Sequence, residues 1–192
     1  MTPFHVVIGV DLSLTGLGLV ALPEDWIHPT TGACNWALVK HRTLETDHSR
    51  PLIDRMGSLA ADVATWVRWI LQLYPGAILH VVHEGYPIGG RVYNLDKLAE
   101  LGGVVKHALR QNPLNLLTDA APQSAARKLM IGKLPQRGRK AAVIEMVRAI
   151  LPKAGAGWTD DECDALVAAN WLAYERGLRF LTVAPSTGGR AA

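Results

Sequence analysis

The apolar positions along this chain first recur at strand spacing and then at helical spacing. His5 to Val10 is a β-branched apolar run that ends at Asp11, and Leu17 to Leu22 is a second run beyond the turn-prone stretch Ser13 to Gly16. The two predict a β-hairpin. Asn35 to Lys40, after a Pro/Thr/Gly loop, predicts a third strand and with it an antiparallel meander. The period then changes: Leu52, Met56, Leu59, Val63, Trp66 or Val67, Ile70 and Leu73 predict a long amphipathic helix between Pro51 and Pro75. Ile78 to His83 reads as a buried strand ending at Glu84, and Gly85 to Arg91 as a Gly/Pro loop.

Beyond that loop, Leu95, Leu98, Leu101, Val105 and Leu109 predict a helix interrupted by Gly102-Gly103, and Leu114 to Thr118 predicts a strand. Pro122 is placed to open a short helix carrying Arg127 and Lys128. Lys140 to Leu151 predicts another helix, and Thr159 caps a last one to about Tyr174. Strands followed by alternating strands and helices argue an α/β domain with a mixed sheet, and the antiparallel start excludes a plain doubly wound order. A single domain over residues 1–184 is expected, with a mobile tail over 185–192.

Composition narrows this picture. At 49% hydrophobic and 19% charged residues, the 192-residue chain can build a packed core. No apolar run reaches the roughly 18 residues of a membrane helix, and a secretory signal pattern is not expected. Cys34 and Cys163 have no metal-site or disulfide-framework spacing, so a cytoplasmic setting is expected. The net charge of +3 hides a segregation, because Ala120 to Ile144 contains no acidic residue but holds Arg127, Lys128, Lys133, Arg137, Arg139 and Lys140. Such a basic segment suits a phosphate backbone, although a solvated loop has the same composition.

Three acidic residues stand at the ends of apolar elements. Asp11 follows Val6 to Val10, Glu84 follows Ile78 to His83, and Asp164 precedes Ala165 to Ala169. Asp161 and Asp164 lie three apart and share a helix face; Asp160 and Asp164, four apart, do so too. Acids in a first helical turn also favour the macrodipole, which offers a purely structural reason for this last group but none for Asp11 and Glu84. If the strand ends meet and the last helix crosses them, four carboxylates converge. Their repulsion calls for hard divalent cations, and two such ions can clamp an in-line phosphoryl displacement.

The string Ile8-Gly9-Val10-Asp11-Leu12-Ser13-Leu14-Thr15-Gly16-Leu17-Gly18, Glu84 after an apolar strand, and Asp161-Glu162-Cys163-Asp164-Ala165-Leu166 together resemble the RuvC family of Holliday junction resolvases. The resemblance spans roughly residues 6–175. It implies a ribonuclease H-like mixed five-stranded sheet, with three antiparallel strands followed by parallel ones, flanked by helices. It also implies catalytic and metal-binding roles for Asp11, Glu84, Asp161 and Asp164, two Mg²⁺ ions with Mn²⁺ as a substitute, and a homodimer that cuts branched DNA. Lys140 matches the lysine that opens the family's penultimate helix, and Arg127, Lys128, Lys133, Arg137, Arg139, Tyr86 and Arg91 are further DNA-binding candidates. Leu12-Ser13 stands where the family usually has Pro-Gly, and Tyr86 is the nearest counterpart of its aromatic wedge, as in a divergent, phage-type relative.

Other readings compete. A ribonuclease H or flap nuclease of the same fold uses the same acids; a non-catalytic DNA-binding module explains the basic segment but not Asp11 and Glu84. An actin-like nucleotide-binding domain would need a second phosphate loop. His80 and His83, three apart in a strand, face opposite ways and make a poor metal pair, and Trp66, Trp69, Trp158 and Trp171 read as packing residues. The helix from Leu95 to Leu109 is the expected dimer face, with packing on its own sheet as the alternative.

Overall fold

The computed structural model describes residues 3–85, 95–110, 115–117, 120–132, 139–151 and 157–182. Its elements are β1 (His5–Leu12), β2 (Gly16–Pro23), β3 (Lys40–Glu45), α1 (Leu52–Leu73), β4 (Ile78–His83), α2 (Leu95–Arg110), β5 (Asn115–Leu117), α3 (Gln123–Ile131), α4 (Arg139–Ile150) and α5 (Asp160–Glu175). They form one five-stranded sheet in the order β3-β2-β1-β4-β5. β1 and β2, and β2 and β3, pair antiparallel, whereas β4 runs parallel to β1 and β5 parallel to β4.

Alternation along the strands divides the apolar residues into two cores. Val6, Ile8 and Val10 of β1, Leu17 and Leu19 of β2, and Leu79 and Val81 of β4 pack with Met56, Val63 and Ile70 of α1 and with Leu101, Val105 and Leu109 of α2. Val7, Val20, Leu22 and Val82 face the other way, onto α5, α3 and α4. The apolar stripe of α2 is therefore used inside the subunit. Packing against α1 and the sheet accounts for Leu101, Val105 and Leu109, the buried part of the stripe that the sequence offered as a dimer face.

α5 is buried on nearly every side, from Glu162 through Asn170 and again at Leu172 and Ala173, as expected of a helix without a polar face. Two glycines let it lie this close. A Cβ on Gly9 would sit 2.0 Å from the Ala165 carbonyl oxygen, and one on Gly18 would sit 2.1 Å from the carbonyl group of Asp161. No side chain fits at either strand position, so β1 and β2 carry glycine where the helix backbone crosses. Thr159 caps α5 through a reciprocal capping box with Glu162.

The third strand lies later in the chain than its apolar content suggests. Residues 35–39 form turns, with Leu38 N–H donating to the Asn35 carbonyl and Val39 N–H to that of Trp36, and β3 begins at Lys40. Trp36 packs edge-on against Trp26 and Trp158, which is why this stretch is apolar without being a strand. β3 is an edge strand in which Leu44 is the buried residue, and its polar sequence hid it. Trp66 and Trp158 are buried, Trp171 is half-buried, and Trp69 is 41% exposed. Among the described residues no helix is long and apolar enough to cross a membrane.

Candidate metal centre

Register places the first two acids side by side. Gly9 of β1 lies opposite Val82 of β4 and Val10 opposite His83, so Asp11 and Glu84 are the next residues along two parallel strands. The Glu84 N–H donates to the Val10 carbonyl at 2.9 Å and continues the ladder to this point. Asp11 shares its strand face with Val7 and Gly9, and Glu84 shares its face with His80 and Val82, which is the α5 side of the sheet. Across the hairpin, Asp11 pairs with Gly18, the glycine over which the first turn of α5 passes. The close approach at Gly9 and Gly18 thus delivers Asp164 onto the two strand ends.

Carboxylate oxygens of Asp11, Glu84 and Asp164 lie within 4.8 Å of one another. Asp11 and Asp164 are buried, and the Glu84 side chain is 12% exposed. Burial first, then the charges of Glu84 and Asp164, push the Asp11 carboxyl well above its ordinary range. Glu84 is raised by burial and by Asp164, against the pull of Arg127. Asp161 is half-buried one turn earlier on α5, its carboxyl hydrogen-bonded to Asp11 and raised by burial. Asp160 instead points outward and pairs with Arg148 at 2.9 Å, so of the two first-turn candidates Asp161 is the one beside the cluster.

Two cations close the group. Arg127 of α3 donates through Nη2 to Glu84 Oε1 at 2.7 Å and to Asp164 Oδ1 at 3.2 Å. Lys140 of α4 places Nζ 2.9 Å from Asp164 Oδ2. Burial lowers the Lys140 pKa, but its bond to Asp164 and the nearby Asp11 and Glu84 charges outweigh this and raise it. A second brace holds the start of α5: Thr43 Oγ1 meets Thr159 Oγ1 at 2.7 Å, and His41 Nδ1 lies 3.1 Å from Glu162 Oε1.

Of the basic candidates, Lys128 and Lys140 are exposed, whereas Arg127 turns inward with 12% of its side chain accessible. The sequence held a signal for this. Arg127 precedes the buried Ile131 by one helical turn, and Ala126 and Met130 flank the same face. The backbone of Arg139 opens α4, and Lys133, Arg137, Tyr86 and Arg91 lie outside the described residues. His80 pairs with His5, ring nitrogen to ring nitrogen at 2.8 Å, while His83 Nδ1 bonds the Glu84 carbonyl. The two histidines serve separate contacts. Gly9 and Gly18 were missed as functional positions, although glycine inside an apolar strand is a sign of close backbone approach.

A centre made only of carboxylate oxygens suits a hard divalent cation, and the carboxyl pKa values, raised first by burial and then by mutual repulsion, mark negative charge that such a cation would stabilise. The residues fit the ion that the sequence resemblance implies. No protein-family model and no curated protein matches this chain. Among solved structures, Thermus thermophilus RuvC in complex with a Holliday junction substrate is similar at 21% identity and a TM-score of 0.59, covering 90% of this chain and 96% of that one. A second Thermus thermophilus RuvC structure is similar at the same identity and TM-score, over 91% of this chain and 98% of that one. The chain therefore has the RuvC architecture, a ribonuclease H-like mixed sheet flanked by helices.

Proposed function

We propose that this protein is a metal-dependent endonuclease that resolves four-way DNA junctions by paired, symmetric nicks. The observation that carries the reading is the convergence of Asp11, Glu84 and Asp164 from three separate elements to within 4.8 Å, in a fold shared with RuvC. Asp11, Glu84, Asp161 and Asp164 would hold two Mg²⁺ ions, with Mn²⁺ able to replace them. When bound, such ions neutralise the charge that builds on the attacking and leaving oxygens of the scissile phosphate. The chain's own residues hold that phosphate: Lys140 lies beside the cluster, Lys128 is exposed on α3, and the acid-free sequence from Ala120 to Ile144 would offer a basic flank to the duplex arms. Burial of Asp11 and Asp164 keeps water from screening the centre and fixes the carboxylates before substrate arrives.

The junction as substrate is supported by the fold likeness to a RuvC bound to a Holliday junction, and it requires two active sites, hence a homodimer. The test is incubation of the purified protein with Mg²⁺ and labelled four-way junction, flap, linear duplex and RNA·DNA hybrid. Symmetric nicks in two strands of like polarity on the junction are expected. Preferred cutting of the hybrid or of the flap would replace the junction reading with a ribonuclease H or a flap nuclease.

A further inference from the structure

Arg127 is itself a cation set between two of the candidate metal ligands, Glu84 and Asp164. One Nη2 group bridges Glu84 Oε1 and Asp164 Oδ1, two oxygens drawn from different elements, and Lys140 takes the remaining oxygen of Asp164. The guanidinium is also incompletely used, because its Nε–H is buried and has no hydrogen-bond partner among the described residues. A buried donor of that kind is costly to leave unpaired, a cost that turning the side chain to another acceptor would recover.

On the metal-centre reading above, we propose that Arg127 is a placeholder cation. It holds Glu84 and Asp164 together before metal binds, competes with the metal for those two oxygens, and on displacement turns its free N–H groups to a phosphate of the DNA. α3 supports such exchange: Ala126, Met130 and Ile131 anchor the helix in the core, so the long side chain can swing while its backbone stays fixed. Arg127 is thus a positioning residue that sets metal affinity.

The test is Mn²⁺ binding to the full chain without DNA, measured by calorimetry and by loss of the free-ion electron paramagnetic resonance signal. Removing a positive charge from direct contact with the ligand oxygens corresponds to roughly one log unit or more, so Arg127→Gln is expected to bind Mn²⁺ about tenfold or more tightly than wild type. Lys128→Gln, which deletes the same charge one residue away on the exposed side, is expected to stay within about twofold. Equal affinity in wild type and Arg127→Gln, or equal tightening in Lys128→Gln, would overturn the placeholder role and leave the nuclease reading intact. Absence of Mn²⁺ binding in every protein would overturn both. Should Arg127→Gln not fold, wild type decides the matter by ¹⁵N NMR of the arginine side chains, with the Arg127 resonance assigned from Arg127→Lys. Metal is expected to shift that Nε–H resonance, and an unmoved resonance at saturating metal would refute displacement.

Discussion

Replacing Asp11 by Asn should make the metal-free protein more stable. Each of the contacts of Asp11 with Glu84 and Asp164 sets two carboxylates within 4.8 Å. At an effective dielectric of about 20, a like-charge pair at that separation costs about 3.5 kcal/mol. The Lys140 charge and a proton shared between Asp11 and Glu84 offset most of it, so a net gain of about 2 kcal/mol is expected in the Asn variant, or about 4–8 °C in Tm for a chain of this size. The pH dependence carries a definite sign. A carboxyl whose folded pKa is raised binds its proton more tightly in the folded state, so wild type loses stability as pH rises through that folded value. The Asn variant lacks this loss. The gap between the two should be small below the ordinary carboxylate pKa of about 3.9 and should widen as pH rises from there toward the raised folded value. Thermal melts in EDTA at several pH values measure it, and repetition with Mg²⁺ should raise wild type, by about 2.7 kcal/mol at a hundredfold excess over Kd, and close the gap. A lower Tm for Asp11→Asn in EDTA at neutral pH, or a gap that ignores pH, would refute the electrostatic argument.

Further outcomes follow from the geometry of the site. Gly18→Ala forces a Cβ into the Asp161 carbonyl and should cost about 3 kcal/mol in urea unfolding, whereas Gly103→Ala, with nothing within 4 Å, should gain about 0.5–1 kcal/mol. Replacing Lys128 and Lys140 together by Ala should lower the slope of log K against log salt for DNA binding by about 0.9 per lost phosphate contact; an unchanged slope would show that neither lysine meets a phosphate. A mixed dimer with one Asp11→Asn subunit should nick a supercoiled cruciform and rarely linearise it, while linearisation at the wild-type rate would argue for independent monomers.

Much of the site could be read from the sequence because strand parity is strict. An acid that ends an apolar run keeps the face of every second residue before it, so Asp11 and Glu84 had to share a face once β1 and β4 paired in parallel. The choice between Asp160 and Asp161 was not legible, since both lie within helical reach of Asp164 and the outward turn of Asp160 is set by Arg148, twelve residues away. β3 was misplaced because an edge strand needs few apolar residues and the tryptophan-bearing turn before it has more of them. Arg127 was read as part of a basic surface because composition reports charge and not direction; the inward turn depends on α3 packing against α5, a tertiary fact.

The most direct test of the account is single-turnover cleavage of a 5′-labelled four-way junction by wild type and Asp11→Asn, each in Mg²⁺, in Ca²⁺ and in EDTA. Wild type is expected to cut in Mg²⁺, to bind with little cutting in Ca²⁺ and to be inactive in EDTA, while Asp11→Asn binds the junction in every buffer and cuts in none. Cleavage by Asp11→Asn with Mg²⁺ in excess, or wild-type cleavage that persists in EDTA, would contradict the claim that these carboxylates form a metal-dependent nuclease centre.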